Sequence, residues 1–138
     1  MIAIDAGFLY ALADRRDAWH ERAVAHWPTH EEGWITTWPV LAEACHLLGR
    51  RLGIDYVSNL LDDVAEGSFS IWSPPLEQLA HLPVLMRKYA KLPMDLADAT
   101  LVLLAEHLGH GRILSTDERD FGTYRWKQRK PFHNLLAD

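Results

Sequence analysis

Apolar positions in this chain fall into short runs and helical stripes that alternate along its length. Met1-Ile-Ala-Ile4 predicts a short buried strand that ends at Asp5, and beyond Gly7 the stretch Phe8–Ala13 is an apolar-rich helix. A second helix is predicted from Trp19 to about Trp27, with Asp17 near its cap and Pro28 ending it. Residues 33–37 form a second strand, after which Val40, Leu41, Ala44, Leu47 and Leu48 recur at helical spacing. Thr37 suits the N-cap of that third helix and Pro39 its first turn.

Gly53 breaks the third helix, and Ile54–Glu66 forms another, with Val57, Leu60, Leu61 and Val64 on one side and Gly67 closing it. Phe69–Trp72 alternates as a strand does, Pro74-Pro75 turns the chain, and 76–91 resumes helical periodicity, bent at Pro83. After Pro93 comes the most apolar helix, Leu96–Ala105, expected to be buried on most sides and ended by Gly109. Arg112–Ser115 is a further strand carrying Thr116 and Asp117 at its end, and a last short strand is expected at 131–134. Strands alternating with helices imply an α/β fold whose mostly parallel sheet is covered on both faces. Ligands bind such sheets beyond the carboxyl ends of the strands, where strand order reverses, and Asp5 and Asp117 both point there.

The 138 residues, 49% of them apolar, fit a single domain spanning 1–138. No apolar run approaches the roughly 20 residues that cross a bilayer, and the start lacks the basic region of a signal peptide, so no membrane association and a cytoplasmic location are expected. Cys45 is the single cysteine, which excludes an internal disulfide framework and a multi-cysteine zinc site. A formal charge of −5 argues against coating nucleic acid by net attraction, yet leaves a nuclease open, because carboxylates gathered at a metal site count against the balance. Residues 124–131 carry four basic residues, two aromatics and no acid, a mixture suited to phosphate contact and base stacking.

Four acidic positions stand in or beside apolar segments: Asp5, Glu43, Asp98 and Asp117. Carboxylates are costly to remove from water unless a positive group meets them, and a shared divalent cation is the simplest one. Asp98 is the most informative, since it lies among Leu96, Ala97, Ala99, Leu101 and Val102. Asp95, three residues earlier on the same face, suits a helix cap or a hold on a water beside the metal. Asp5 alone fits a cap for the helix after it, Glu43 an ordinary helix residue, and Asp117 the start of a turn; their joint occurrence favours a site. His20, His26 and His30 offer a rival zinc site, but their spacings only partly fit one helix face. Cys45 lies within a helix without a base-bearing motif, and the six tryptophans read as core or interface anchors.

On these residues the chain resembles the PIN-domain nucleases, and among them the VapC-like toxins of bacterial type II toxin–antitoxin systems. The resemblance covers almost the whole chain and rests on Ile4-Asp5, Leu41-Ala-Glu43, Leu96-Ala-Asp98-Ala99 and the segment from Thr116 to Phe121. It implies a three-layer α/β/α fold around a short, mostly parallel sheet, an acidic pocket holding Mg²⁺ or Mn²⁺, and cleavage of RNA. Asp5, Glu43, Asp98 and Asp117 correspond to that pocket, with Asp5 and Asp98 as direct ligands and Glu43 and Asp117 completing the site or acting through water. Asp120 is positioned to share or replace the role of Asp117. The chain departs from the pattern at Ala6-Gly7, where many relatives carry Thr or Ser; Thr116 is the candidate substitute. The resemblance also implies a cognate antitoxin and a homodimer, with 54–91 as a candidate interface.

Two other readings compete. A receiver-like Mg²⁺-binding signalling domain requires paired acids after the first strand, and Ala-Gly follows Asp5 instead. A PIN-fold RNA-processing or RNA-binding module outside toxin systems keeps the fold with a different role.

Overall fold

The computed structural model describes residues 1–27 and 31–138. In chain order it runs β1 (Ile2–Ile4), α1 (Ala6–Ala13), α2 (His20–His26), β2 (Trp34–Thr37), α3 (Trp38–Arg51), α4 (Ile54–Ala65) and β3 (Ser70–Trp72). A 3-10 helix (Leu76–Ala80), α5 (His81–Lys88), α6 (Leu96–Leu108), β4 (Arg112–Leu114), α7 (Glu118–Thr123), β5 (Arg125–Trp126), β6 (Lys130–Pro131) and β7 (His133–Asn134) complete it.

Five strands pair in parallel in the order β3-β2-β1-β4-β7, and helices flank the sheet, giving the expected α/β architecture. β1 is wholly buried at the centre, which explains why three apolar residues suffice to define it. Ala3 lies opposite Ile35 on one side and Ile113 on the other, and Ile4 lies opposite Leu114. Those registers bring Asp5 level with Thr37 and Ser115 just beyond the strand ends. The chain leaves β1 towards β2 on one side and returns through β4 on the other, so the reversal of strand order falls between β1 and β4, beside Asp5.

α6 is the central helix, with Ala97 and every residue from Ala99 to Ala105 buried. Its position against β2, β1, α3 and α5 accounts for an apolar pattern that runs nearly all round. Asp95 caps its start, accepting the Asp98 N–H at 2.8 Å, and Gly109 closes it at φ 78°.

Several expectations need correction. The segment 76–91 is not one helix bent at Pro83: a 3-10 helix precedes α5, and Pro83 sits in the first turn of α5, where its missing N–H is not needed. Thr37 stands at the N-cap of α3 but makes no side-chain cap; its hydroxyl instead lies 2.7 Å from that of Thr100, tying β2 to α6. The sequence around Asp117 contains a helix, α7, and not a turn alone. The expected last strand divides, β6 pairing antiparallel with β5 while β7 extends the main sheet. Tyr124 and Trp126, read as base-stacking aromatics, are buried at 0% and 6% exposure, so they belong to the core. The tryptophans are of mixed kind: Trp34 is buried, whereas Trp38 is 57% exposed. Pro28 and His30 lie outside the described residues; His20 turns its ring Nδ1 to the Ala11 carbonyl at 2.7 Å.

Candidate acidic active site

Asp5, Glu43, Asp98 and Asp117 line a single cleft of about 240 Å³, together with Asp95 and Asp120. Four separate elements deliver them. β1 ends at Asp5, α3 carries Glu43 on the face it shares with Val40 and Leu47, α6 opens with Asp95 and Asp98, and the end of β4 leads into Asp117 and Asp120. Apolar side chains at Val40, Leu47 and Leu101 make the rest of the wall, so the carboxylates face one another across little neutral polar surface.

Asp5 is the most tightly held. Its Oδ1 accepts the Phe8 N–H at 2.8 Å, capping α1, and its Oδ2 accepts the Ser115 hydroxyl at 2.5 Å. Ser115 is itself fixed from the next strand: its N–H donates to Asn134 Oδ1 at 3.1 Å, and the Asn134 amide donates back to the Ser115 carbonyl at 2.9 Å. The capping role and the site role of Asp5 therefore coexist, since each carboxylate oxygen has a second lone pair. Burial pushes the Asp5 carboxyl up to about 6, against the lowering effect of Ser115 and Phe8, and the charges of Asp117 and Glu43 add to the rise.

Asp98 is half-buried and takes a hydrogen bond from the Tyr124 hydroxyl at 2.7 Å on Oδ2. Burial raises its carboxyl to about 7; Tyr124 opposes the shift, and Asp95, Asp120 and Asp5 reinforce it. Glu43 is raised by burial and by Asp95. Asp117 accepts the Asp120 N–H at 2.9 Å and so caps α7, while Asp120, 7% exposed, is raised by burial and by Asp117. The choice between Asp117 and Asp120 is thus not exclusive, because both reach the cleft. Arg119 approaches from the rim, donating to Asp120 Oδ1 at 3.1 Å and to the Leu92 carbonyl at 3.1 Å.

Gly7 explains the departure noted at Ala6-Gly7. A Cβ on Gly7 would stand 1.9 Å from the Thr116 hydroxyl oxygen, so the Thr116 side chain occupies the space a larger residue would need. Thr116 also lines the cleft, which puts a hydroxyl close to the position where the sequence lacks one.

Three contributors were not foreseen: Ser115, Asn134 and Tyr124. Ser115 was within reach of sequence reasoning, as it precedes Thr116-Asp117 directly. Tyr124 and Asn134 carry no local signal, because their partners lie 26 and 19 residues away.

The cleft's donor set is all carboxylate oxygen with hydroxyls nearby, and it includes neither histidine nor cysteine. Such a set fits a hard cation like Mg²⁺ better than zinc. Among the described residues, no three of the acidic, histidine or cysteine side chains are already gathered into a closed metal cage. Burial first, and the neighbouring carboxylates after it, raise Asp5, Glu43, Asp98 and Asp120 above the ordinary carboxylate range.

Comparison with known proteins bears on the family and the fold. The PIN domain family model matches residues 2–127. Ribonuclease VapC26 of Mycobacterium tuberculosis (strain ATCC 25618 / H37Rv) is 25% identical over 122 residues, covering 88% of this chain and 90% of the relative. The crystal structure of Mycobacterium tuberculosis VapC20, described as a sarcin-ricin loop cleaving toxin, superposes with a TM-score of 0.78 at 19% identity, covering 86% of this chain and 92% of that one.

Proposed function

The chain belongs to the PIN domain family, and from that premise we propose that it is a Mg²⁺-dependent endoribonuclease, the toxin component of a type II toxin–antitoxin system. The observation that carries this reading is the convergence of six carboxylates from four elements on one cleft at the reversal of strand order. The likeness to two VapC proteins, one of them named a ribonuclease, supports the choice of RNA and the toxin role.

Asp5 and Asp98 are the direct ligands of Mg²⁺, or of Mn²⁺ in its place, and Glu43 with Asp117 completes the site or holds water; Asp120 joins them. Mg²⁺ held there would supply positive charge against the phosphodiester and lower the pKa of a water. Within the chain, Ser115 and Phe8 fix the Asp5 carboxylate, and Tyr124 fixes that of Asp98, so both are oriented before substrate arrives. The enzyme acts in the cytoplasm, is restrained by a cognate antitoxin and works as a homodimer. None of the described helices is long and apolar enough to cross a membrane.

Purified protein incubated with total RNA tests the reading. Cleavage in Mg²⁺ that stops in EDTA is expected; intact RNA under both conditions refutes it. Mapping the new ends identifies the substrate, and co-purification with the product of a neighbouring small gene tests the antitoxin.

A further inference from the structure

The basic stretch that follows α7 folds into a hairpin whose tip is not built for an easy turn. β5 and β6 pair with Trp126 opposite Lys130, leaving Lys127, Gln128 and Arg129 as the connection. Lys127 and Gln128 both adopt left-handed backbone, at φ 47° and 70°. Tight hairpins usually give such positions to Asn and Gly, which take them with little strain. Lysine and glutamine at these positions hold the tip in a less favourable turn, with both side chains exposed.

The hairpin is firmly seated all the same. The Trp126 ring packs over Gly111, where a Cβ would come 2.5 Å from the indole nitrogen, and that nitrogen donates to the Pro131 carbonyl at 3.0 Å. The ammonium groups of Lys127 and Lys130 lie 5.8 Å and 5.0 Å from the centre of the same ring. One indole therefore holds two ammonium groups within cation–π range and positions both at the tip. Among the described residues, Lys127, Arg129, Lys130 and Lys88 form no ion pair.

Lys88, whose ammonium lies 5.3 Å from the centre of the Tyr89 ring, and Gln128 both line a groove of about 440 Å³ between α5, α6 and the hairpin. Glu106 in that groove is the one acid present, and it accepts the Lys127 backbone N–H at 3.1 Å. Glu106 stands eight residues beyond Asp98 on α6, about 12 Å along the helix axis. The hairpin tip therefore lies by the end of α6 and the start of β4, whereas the carboxylate cleft lies at the start of α6 and beyond the end of β4.

We infer that Lys127, Arg129 and Lys130 at the hairpin tip, with Lys88 in the neighbouring groove, form a contact surface for the phosphodiester backbone of single-stranded RNA at the end of α6 away from the cleft. The inference rests on the nuclease reading for its choice of RNA. The buried Trp126 and Tyr124 contribute no base stacking, so the surface reads charge and not sequence. It holds substrate across α6 while the scissile phosphate lies among the carboxylates.

Binding is measured by fluorescence anisotropy with the full chain, a labelled single-stranded RNA of about 16 nucleotides, and EDTA throughout, over a series of salt concentrations. The charge variant Lys127→Gln/Arg129→Gln/Lys130→Gln is expected to bind about tenfold or more weakly at low salt. Its log–log salt slope should be smaller than that of wild type by about 2, roughly 0.7 for each lost contact. A second variant, Lys127→Asn/Gln128→Gly, eases the turn and removes one charge. It is expected to melt at least as high as wild type while still binding RNA more weakly. A folded charge variant with unchanged affinity and slope overturns the inference, as does absence of RNA binding by wild type. Unchanged RNA binding with an altered oligomeric state assigns the face to a protein contact instead, and equally overturns it. Cleavage by wild type in Mg²⁺, followed in parallel, separates this outcome from failure of the nuclease reading.

Discussion

The hydroxyl of Thr116 stands where any side chain on Gly7 would have to be placed, 1.9 Å from the position of its Cβ. The two residues come from opposite sides of the β1–β4 junction and are fitted to each other. Gly7→Ala is expected to destabilise the protein by about 1–3 kcal/mol through overpacking. Thr116→Ala removes the offending oxygen, so the double variant should recover much of that loss. Denaturant unfolding of the four-member cycle measures the coupling; additive effects contradict the fit.

Tyr124→Phe tests the support of Asp98. The ring keeps its edge contacts with Tyr89 and Phe121, so the fold should persist. Losing the hydroxyl leaves Asp98 without the donor that lowers its proton affinity. Its carboxyl should then titrate above the value of about 7 that it has in the intact protein. Carboxyl-carbon NMR through a pH series reads this directly, and an unchanged or lower titration point removes Tyr124 from the site.

The metal-free protein should lose stability as pH rises. Asp5 and Asp98 have folded-state values of about 6 and about 7, above the ordinary 3.8, so the native state binds more protons than the unfolded chain between these limits. Their contribution is fully present below about pH 3.8 and is lost as pH rises through 6 to 7. Thermal melts in EDTA should show the cleft working against the fold over that window. Added Mg²⁺ should raise the melting temperature at pH 8 and scarcely at pH 5, where protons compete for the same oxygens. Equal effects at both values would place cation binding elsewhere.

Much of this arrangement was legible in the sequence because it rests on local patterns. The short apolar run before Asp5 marks a central buried strand, and the carboxylate in the first turn of the apolar Leu96–Leu108 helix marks a desolvation cost that a shared cation would offset. The segment 76–91 misled because its apolar spacing continues through the 3-10 helix and α5, whose different hydrogen bonding periodicity does not register. Tyr124 and Trp126 misled for another reason: flanking cations suggested a wet surface, while both rings are buried and the Lys127 and Lys130 ammonium groups lie over Trp126. The Tyr124–Asp98 and Ser115–Asn134 bonds depend on how distant segments meet, which no local pattern encodes.

The central claim is that the acidic cleft is a nuclease centre. Its most direct test is the RNA cleavage rate of Asp98→Asn against wild type in Mg²⁺, with folding checked by circular dichroism. A loss of about a hundredfold or more in a folded protein is predicted, in line with removal of a charged ligand of the cation that neutralises the phosphodiester. Wild-type cleavage by the folded variant would contradict the account.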